Sequence, residues 1–421
     1  MTPQLHNDHT TNSEIKPQPE TPSWGWDESE DGEQKKIHHL LGTGPIEKLP
    51  DSDHLPEVLR EFRYFKRNII IGCWNFGPIL DAIKGSERFA VVTGLRQHAT
   101  MHLGTKCVID QLGFYQKEFE ADVFVAFSDV ESWLLPANGQ VSIRTSIEHA
   151  LSNYMVDILA LGLKPKNKKS ILRVHSEWAR REILSMATAL IHYVPNDYIA
   201  KQISLDEQIS LAQLFFPLVV AADILHVQLE KYGGSRPILV PVGYDQHHFM
   251  MDAWRIMKAY IEDVHADFSL PSFTFHGMLM DSDKRPMSRF VENGIKHASH
   301  AIFLSDDLEV IISKINDSDT GVQADGSRKP QNCPVHELLR FHESEENIVL
   351  DIQRACIGET HTCEECKVKV SNRITQIMSK YKVKRKETED DKEYIKFILD
   401  QDIFRGTESI VNITESSKKG E

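Results

Sequence analysis

Between Val91 and Gly104 the chain reads V-V-T-G-L-R-Q-H-A-T-M-H-L-G. A buried apolar run, Phe89-Ala90-Val91-Val92, stops at Thr93-Gly94; a polar loop follows, and a helical pattern opens at His102-Leu103-Gly104. Strand end, loop and helix start in that order form the crevice where open α/β sheets bind phosphates and nucleotides. The helix start presents unpaired backbone N–H groups and the positive end of its dipole. Gly104 withholds a Cβ where a ligand must come close, and His102 offers a ring donor to a phosphate or a ring oxygen.

The rest of the chain extends this pattern. Short apolar runs at Phe89–Val92, Val123–Phe127, Ile171–His175 and Ile238–Val242 read as buried parallel strands. Helical patterns at Gly104–Gln116, Ser142–Leu161, Ser176–Tyr193 and Leu211–Leu229 separate them. That alternation predicts an α/β fold with a doubly wound parallel, Rossmann-type sheet. After about Ser305 the strand signal ends, and Asp307–Asn316, Val335–Glu343, Asn347–Ala355 and Cys366–Tyr381 read as the helices of an all-helical C-terminal domain. The domain reading is a disordered tail at 1–23, an N-terminal appendage at 24–86 with helical turns at Leu55–Lys66, a Rossmann-type catalytic domain at 87–305, a helical domain with four cysteines at 306–408, and a tail at 409–421.

Three stations in this order resemble the class I aminoacyl-tRNA synthetases, specifically the archaeal type of tryptophanyl-tRNA synthetase. Thr93, Gly94, His102 and Gly104 match the family's T-G-x7-H-x-G-H signature. Ile238–Val242 followed by Gly243-Tyr244-Asp245-Gln246 resembles its V-P-V-G-x-D-Q segment, and Arg285-Pro286-Met287-Ser288-Arg289 its K-M-S-S-S loop, with Ala301–Asp306 following at family spacing. Ser128-Asp129-Val130-Glu131 and Ala222-Asp223-Ile224-Leu225 lie between them, and the likeness runs from about Trp24 to roughly Glu387.

The resemblance implies activation of tryptophan by ATP with Mg2+ and transfer to tRNA(Trp), in the cytoplasm and as a homodimer. It places Thr93, Gly94, His102, Gly104, Thr105, Gly243, Asp245, Met287 and Ser288 on ATP. Glu131, Asp223 and Gln246 fall on the amino acid, and His102, Lys284, Arg285 and Ser288 on the chemistry. The chain departs from the pattern at several points. Thr105 stands where the family has its second histidine, Gln97-His98-Ala99 replaces P-S-G, and Pro286 replaces the first lysine of K-M-S-S-S, with Lys284 and Arg285 just upstream as alternative cations. His247 and Val220 replace an acidic residue and a glutamine. Two further readings therefore stand beside the ligase: a non-catalytic relative that binds RNA or responds to iron or redox state, and an enzyme that activates a different amino acid.

Cys333, Cys356, Cys363 and Cys366 are spaced C-x22-C-x6-C-x2-C. Four thiolates so clustered suit zinc or an iron–sulfur cluster, with His336 and His361 nearby as substitute ligands; the bland reading is four unrelated small apolar side chains. The resemblance favours a [4Fe-4S] cluster near the anticodon-binding surface. Cys73 and Cys107 read as core or helix-face residues. The formal net charge of −14 excludes a general polyanion binder, so RNA contact falls to the basic run Lys367, Lys369, Arg373, Lys380, Lys382, Lys384, Arg385 and Lys386, whose alternative is a solvated helix face. No apolar run reaches the roughly 18 residues of a membrane span, and the N-terminus lacks the basic and apolar blocks of a secretory signal.

Overall fold

A computed structural model describes residues 46–96, 100–129, 131, 143–165, 170–174, 182–205, 209–264, 267–287, 291–292, 295–296 and 300–394. Its centre is a six-stranded sheet of β1 (Ile70–Trp74), β2 (Ala90–Leu95), β3 (Asp122–Phe127), β4 (Ser170–Val174), β5 (Ile238–Gly243) and β6 (Ser272–His276), in the order β1-β6-β5-β2-β3-β4. Strands β4, β3, β2, β5 and β6 run parallel, and β1 closes one edge antiparallel to β6. The strand order reverses between β2 and β5, so the carboxyl ends of these two strands flank the switch point where doubly wound sheets take their ligands.

Helices cover both faces, which is why the central strands read as unbroken apolar runs. Val91, Leu95, Val123, Val125 and Phe127 point into one core cluster, while Ala90, Val92, Phe124, Val240 and Val242 point into the other. The first face packs on α1 (Glu57–Glu61), α2 (Arg63–Lys66), α3 (Gly77–Gly85) and α4 (Leu103–Phe119), with α5 (Ile143–His149) and α6 (Val156–Ala160) separated by a π-helical turn. The second packs on α7 (Leu184–Leu190), α9 (Leu211–Leu225) and α10 (His247–Val264), while α8 (Asn196–Leu205) lies between α7 and α9 in the chain. A small hairpin, β7 (Val291–Glu292) with β8 (Ile295–Lys296), precedes the C-terminal helices.

Those helices are α11 (Leu308–Asn316), α12 (Pro334–His342), α13 (Glu346–Ile357) and the 28-residue α14 (Cys363–Asp390), whose start is fixed by a capping box between Thr362 and Glu365. They dock on the sheet through charged groups at helix ends. Arg67 Nη1 donates to the carbonyls of Arg340 and Glu343, and Arg63 Nε to that of Phe341, satisfying the unpaired C=O groups at the end of α12. Farther along, Tyr381 and Arg385 of α14 both donate to the buried Asp157 Oδ1, at 2.6 and 2.7 Å. Leu339, Phe341, Ile374 and Tyr381 belong to the same core cluster as Val91, so the helical region and the sheet share one interior.

The N-terminal segment read as an appendage supplies more than helical turns: β1 and α3 belong to the sheet and its core. Strand β6 has no counterpart among the sequence expectations either. Its buried Ser272 and His276 gave it a polar look, and they are satisfied by partners distant in the chain, Asn75 O at 2.5 Å and Gln111 Nε2 at 3.3 Å.

Candidate nucleotide site and thiol cavity

Helix α4 begins at the carboxyl end of β2, and His102 is its N-cap. The ring Nδ1 accepts from the Thr105 backbone N–H at 3.2 Å, which leaves Nε2 to carry the proton of the neutral imidazole; Thr105 Oγ1 lies 3.5 Å from that nitrogen. A Cβ on residue 104 would lie 2.9 Å from His102 Nδ1 and 3.7 Å from Met287 Cβ. Gly104 therefore makes room first for the capping imidazole and for the loop that arrives over it. The approach to the helix is held by a second strand-like pairing: Leu103 N donates to Ile302 O at 2.9 Å and Leu304 N to Met101 O at 2.8 Å. The segment Ala301–Asp306 thus lies directly along the first signature. Thr93 is buried within β2, and Gly94 is exposed at its end.

Across the switch point, β5 ends at Gly243, where any Cβ would collide with Asp245 Oδ1 and lie 3.0 Å from Met278 Sδ. Asp245 is half-buried, accepts from Gln246 Nε2 at 2.7 Å, and is raised above the usual carboxylate range by burial. His247 is buried with Nδ1 2.8 Å from Tyr244 O, and burial lowers its basicity, so it is a neutral helix-start group beside an exposed His248. Glu131 lies beyond β3 with a carboxylate oxygen 3.7 Å from Arg96 Nη1, an ion-pair partner the sequence did not suggest. Asp223 is buried in α9. Trp254 packs edge-to-face on Trp74 at 5.5 Å.

The degenerate loop is a tight hairpin based on Met280 opposite Pro286, with Met287 N donating to Leu279 O at 2.7 Å. Its organiser is Asp281, fully buried, whose Oδ1 accepts from the amides of Asp283 and Arg285 at 2.9 and 3.0 Å; burial raises its pKa. The two candidate cations separate here. Arg285 is engaged by carboxylates, with Nη2 2.5 Å from Asp283 Oδ2 and Nε 3.6 Å from Asp281 Oδ2. Lys284 is exposed and sits at φ 60°, a left-handed conformation that turns the chain at the tip. Ser288 lies outside the described residues.

The four C-terminal cysteines come together. Cys333, Cys356, Cys363 and Cys366 line one open cavity of about 470 Å³, along with Gly321, Arg328, His361, Lys367 and Lys369. Burial and the neighbouring thiols raise Cys356 and Cys366, the latter to about 12, so joint ionisation needs a compensating positive charge. Among the described residues no three His, Cys, Asp or Glu groups are set to hold a single metal ion. His361 faces the cavity but lies 2.7 Å from Lys369 Nζ; His336 is not among the cavity's lining residues and is buried elsewhere. Cys73 and Cys107 are buried in the core, as expected.

Much of the basic run on α14 is engaged within the fold. Arg373 pairs with Glu343 and Glu345, Arg385 with Asp157, Lys384 with Glu387, and Lys367 with the carbonyl of Asn316. Arg373 and Arg385 are therefore structural.

A model of the class I tRNA synthetases (W and Y) matches residues 84–379. The tryptophan–tRNA ligase of Methanocaldococcus jannaschii is 29% identical over 365 residues, covering 85% of this chain and 93% of that protein. The one from Hyperthermus butylicus is 28% identical over 348 residues, 79% and 86% respectively. Among solved structures, the tryptophanyl-tRNA synthetase of Aeropyrum pernix superposes with a TM-score of 0.71 at 27% identity, covering 85% of this chain and 95% of that one. The tryptophan-bound enzyme of Encephalitozoon cuniculi shares the fold at 0.71 and 19% identity, with 87% and 99% covered. Among the described residues no helix is long and apolar enough to cross a membrane.

Proposed function

Since the chain belongs to the class I tRNA synthetases of the W and Y type, we propose that it is a tryptophan–tRNA ligase working in the cytoplasm. The carboxylate of tryptophan attacks the α-phosphorus of ATP, pyrophosphate leaves, and the resulting adenylate acylates the 3′ end of tRNA(Trp). Such a transfer needs alignment and positive charge over the departing pyrophosphate more than it needs covalent help. The nucleotide takes the crevice between the ends of β2 and β5, and the start of α4 supplies its amides and dipole. His102 donates from Nε2, Thr105 adds a hydroxyl beside it, and Asp245 accepts from a ribose hydroxyl. The amino acid falls to Glu131, Asp223 and Gln246, and the loop from Met280 to Met287 brings Lys284 to the triphosphate. Magnesium bound to the phosphates supplies the remaining charge.

The observation that carries this reading is the convergence of Met287 on Gly104 and His102, which sets the two degenerate signatures against each other at the switch point. The test is exchange of labelled pyrophosphate into ATP across all twenty amino acids. Exchange with tryptophan alone supports the ligase, and exchange with another amino acid reassigns the substrate. Silence favours a non-catalytic relative, the reading that Thr105 and Pro286 speak for.

The thiol cavity gathers four thiols in one space, and the cationic rim of Arg328, Lys367 and Lys369 suits an anionic thiolate cluster. Cys333, Cys356, Cys363 and Cys366 would hold a [4Fe-4S] cluster; a colourless protein carrying zinc would remove that assignment. A homodimer is proposed on the exposed apolar side chains that α7, α8 and the segments beside them present, Leu184, Ile191, Ile199, Ile203 and Leu211. Sedimentation as a monomer would remove it.

A further inference from the structure

The loop that closes over the nucleotide site and the thiol cavity are joined through two short attachments. At the base of the loop, Met280 N donates to Glu337 Oε2 at 3.3 Å, and the same carboxylate lies 3.4 Å from Arg340 Nη1. Glu337 is one turn into α12, and its own amide donates at 2.9 Å to the carbonyl of Cys333, the N-cap of that helix and a wall of the cavity. Nearer the tip, Ser282 O accepts from Asp319 N at 2.8 Å and from Ser318 Oγ at 3.4 Å. Asp319 directly precedes Thr320, Gly321 and Val322, which line the cavity. There is no slack in that wall: a Cβ on Gly321 would lie 2.9 Å from Cys333 Cβ and would collide with the carbonyl of Lys329. A displacement of Cys333 therefore has two direct routes, up α12 to Glu337 and through Gly321 to Asp319. Both routes end on the loop whose last residue, Met287, rests against Gly104.

We propose that the thiol cavity and the nucleotide-closing loop are energetically coupled. A metal group held by the cysteines sets the position of the loop, and Glu337 is the positioning residue that transmits it. The proposal rests on the readings of the cavity as a metal site and of the loop as the ATP clamp. Coupling between two sites of one protein is reciprocal and typically changes an equilibrium about 5–150-fold. The role of Glu337 is geometric. Alanine removes the acceptor for Met280 N, whereas glutamine retains an amide oxygen that can take its place.

The test is amide hydrogen exchange of residues 279–287 in the full chain, first stripped of metal anaerobically and then loaded either with zinc chloride or with iron and sulfide. Loading is expected to slow exchange at the Met280 and Met287 amides by at least about fivefold. In Glu337→Ala the loop should exchange fast whether or not metal is bound, while Glu337→Gln should recover the protection. Thermal melts of both variants check that they are folded. Metal retained with unchanged loop exchange overturns the coupling alone. No metal retained overturns the reading of the cavity and the coupling with it. A coupled loop in a chain without pyrophosphate exchange overturns only the ligase reading.

Discussion

Replacing Gly104 with alanine separates the proposed catalytic role of His102 from its role as a helix cap. A new Cβ would lie 2.9 Å from His102 Nδ1 and 3.0 Å from Cε1, closer than side-chain carbons come to a ring, so the half-buried imidazole must swing away. Swinging away breaks the 3.2 Å bond from Thr105 N and with it the cap, a loss of roughly 1 kcal/mol. Against this, alanine is the better helix former by up to about 1 kcal/mol, and Met287 Cβ at 3.7 Å is in ordinary contact and need not move. The two terms nearly cancel, so the melting temperature should stay within about 4 °C of the parent. Catalysis has no such compensation. A donor aimed at the phosphates is worth roughly 2.7–4 kcal/mol, and exchange of pyrophosphate into ATP should fall by about 10²–10³. Melting curves and exchange rates measured on the same preparation give both numbers. Full activity in a folded variant would mean that the imidazole never touches the nucleotide. A large drop in melting temperature with activity retained would make Gly104 a packing residue only.

Lys284→Ala should lower kcat by about 10- to 1,000-fold with little change in stability, whereas Arg285→Ala, which removes the brace on Asp281 and Asp283, should raise the KM for ATP more than it lowers kcat; the reverse split would exchange their roles. At Asp110, burial pushes the carboxyl up, but Lys106 and Arg63 outweigh it and hold it at about 2, below the ordinary 3.8. That ion-pair stabilisation, roughly 2 kcal/mol, is complete above about pH 4 and is lost as pH falls through about 2. Asp110→Asn leaves the buried Lys106 and the half-buried Arg63 without their counter-charge and should cost roughly 3–5 kcal/mol at pH 7, with a gap to the parent that narrows toward pH 2 in urea melts; a gap independent of pH would show that the carboxylate's charge is not what stabilises the fold.

The parts of this molecule that its sequence discloses are those buried from both sides. Strands β2, β3 and β5 carry apolar residues to both faces of the sheet and so announce themselves as continuous runs. Strand β1 is an edge strand with Gly72 and a register shift in its first residues, and β6 buries Ser272, Thr274 and His276 in alternation with its two phenylalanines. The Ser272 hydroxyl and the His276 ring are matched by Asn75 and Gln111, pairings across the chain that no local pattern encodes. The site divides in the same way. His102, Gly104 and the segment after β5 are legible because a strand end and a helix start make a recognisable order. The difference between Lys284 and Arg285 is not, because it depends on a left-handed turn and on where Asp281 points. Glu337 had a local mark, a carboxylate on the buried face of a short helix between Val335 and Leu338, yet only its partner Met280 gives it meaning.

Two of the departures, Thr105 and Pro286, have one physical consequence between them. Thr105 spends its backbone N–H on the His102 cap and offers a neutral hydroxyl, so the helix start carries one fewer ionisable group than the family pattern. Pro286 has neither cation nor N–H, but its place opposite Met280 closes the hairpin that turns Lys284 outward at the tip. In the proposed reaction, charge over the departing pyrophosphate therefore depends on how far the Lys284 side chain reaches. With an effective dielectric constant of about 20, a unit charge about 4 Å from the leaving group contributes roughly 4 kcal/mol, a factor near 10³ in rate, while one held about 10 Å away contributes less than about 2 kcal/mol, a factor nearer 20. The size of the Lys284→Ala effect thus measures the distance at which the loop closes. A factor near 10³ means the lysine replaces the missing cation from a new backbone position, and a factor near 20 leaves magnesium and the helix dipole as the main charges on the leaving group.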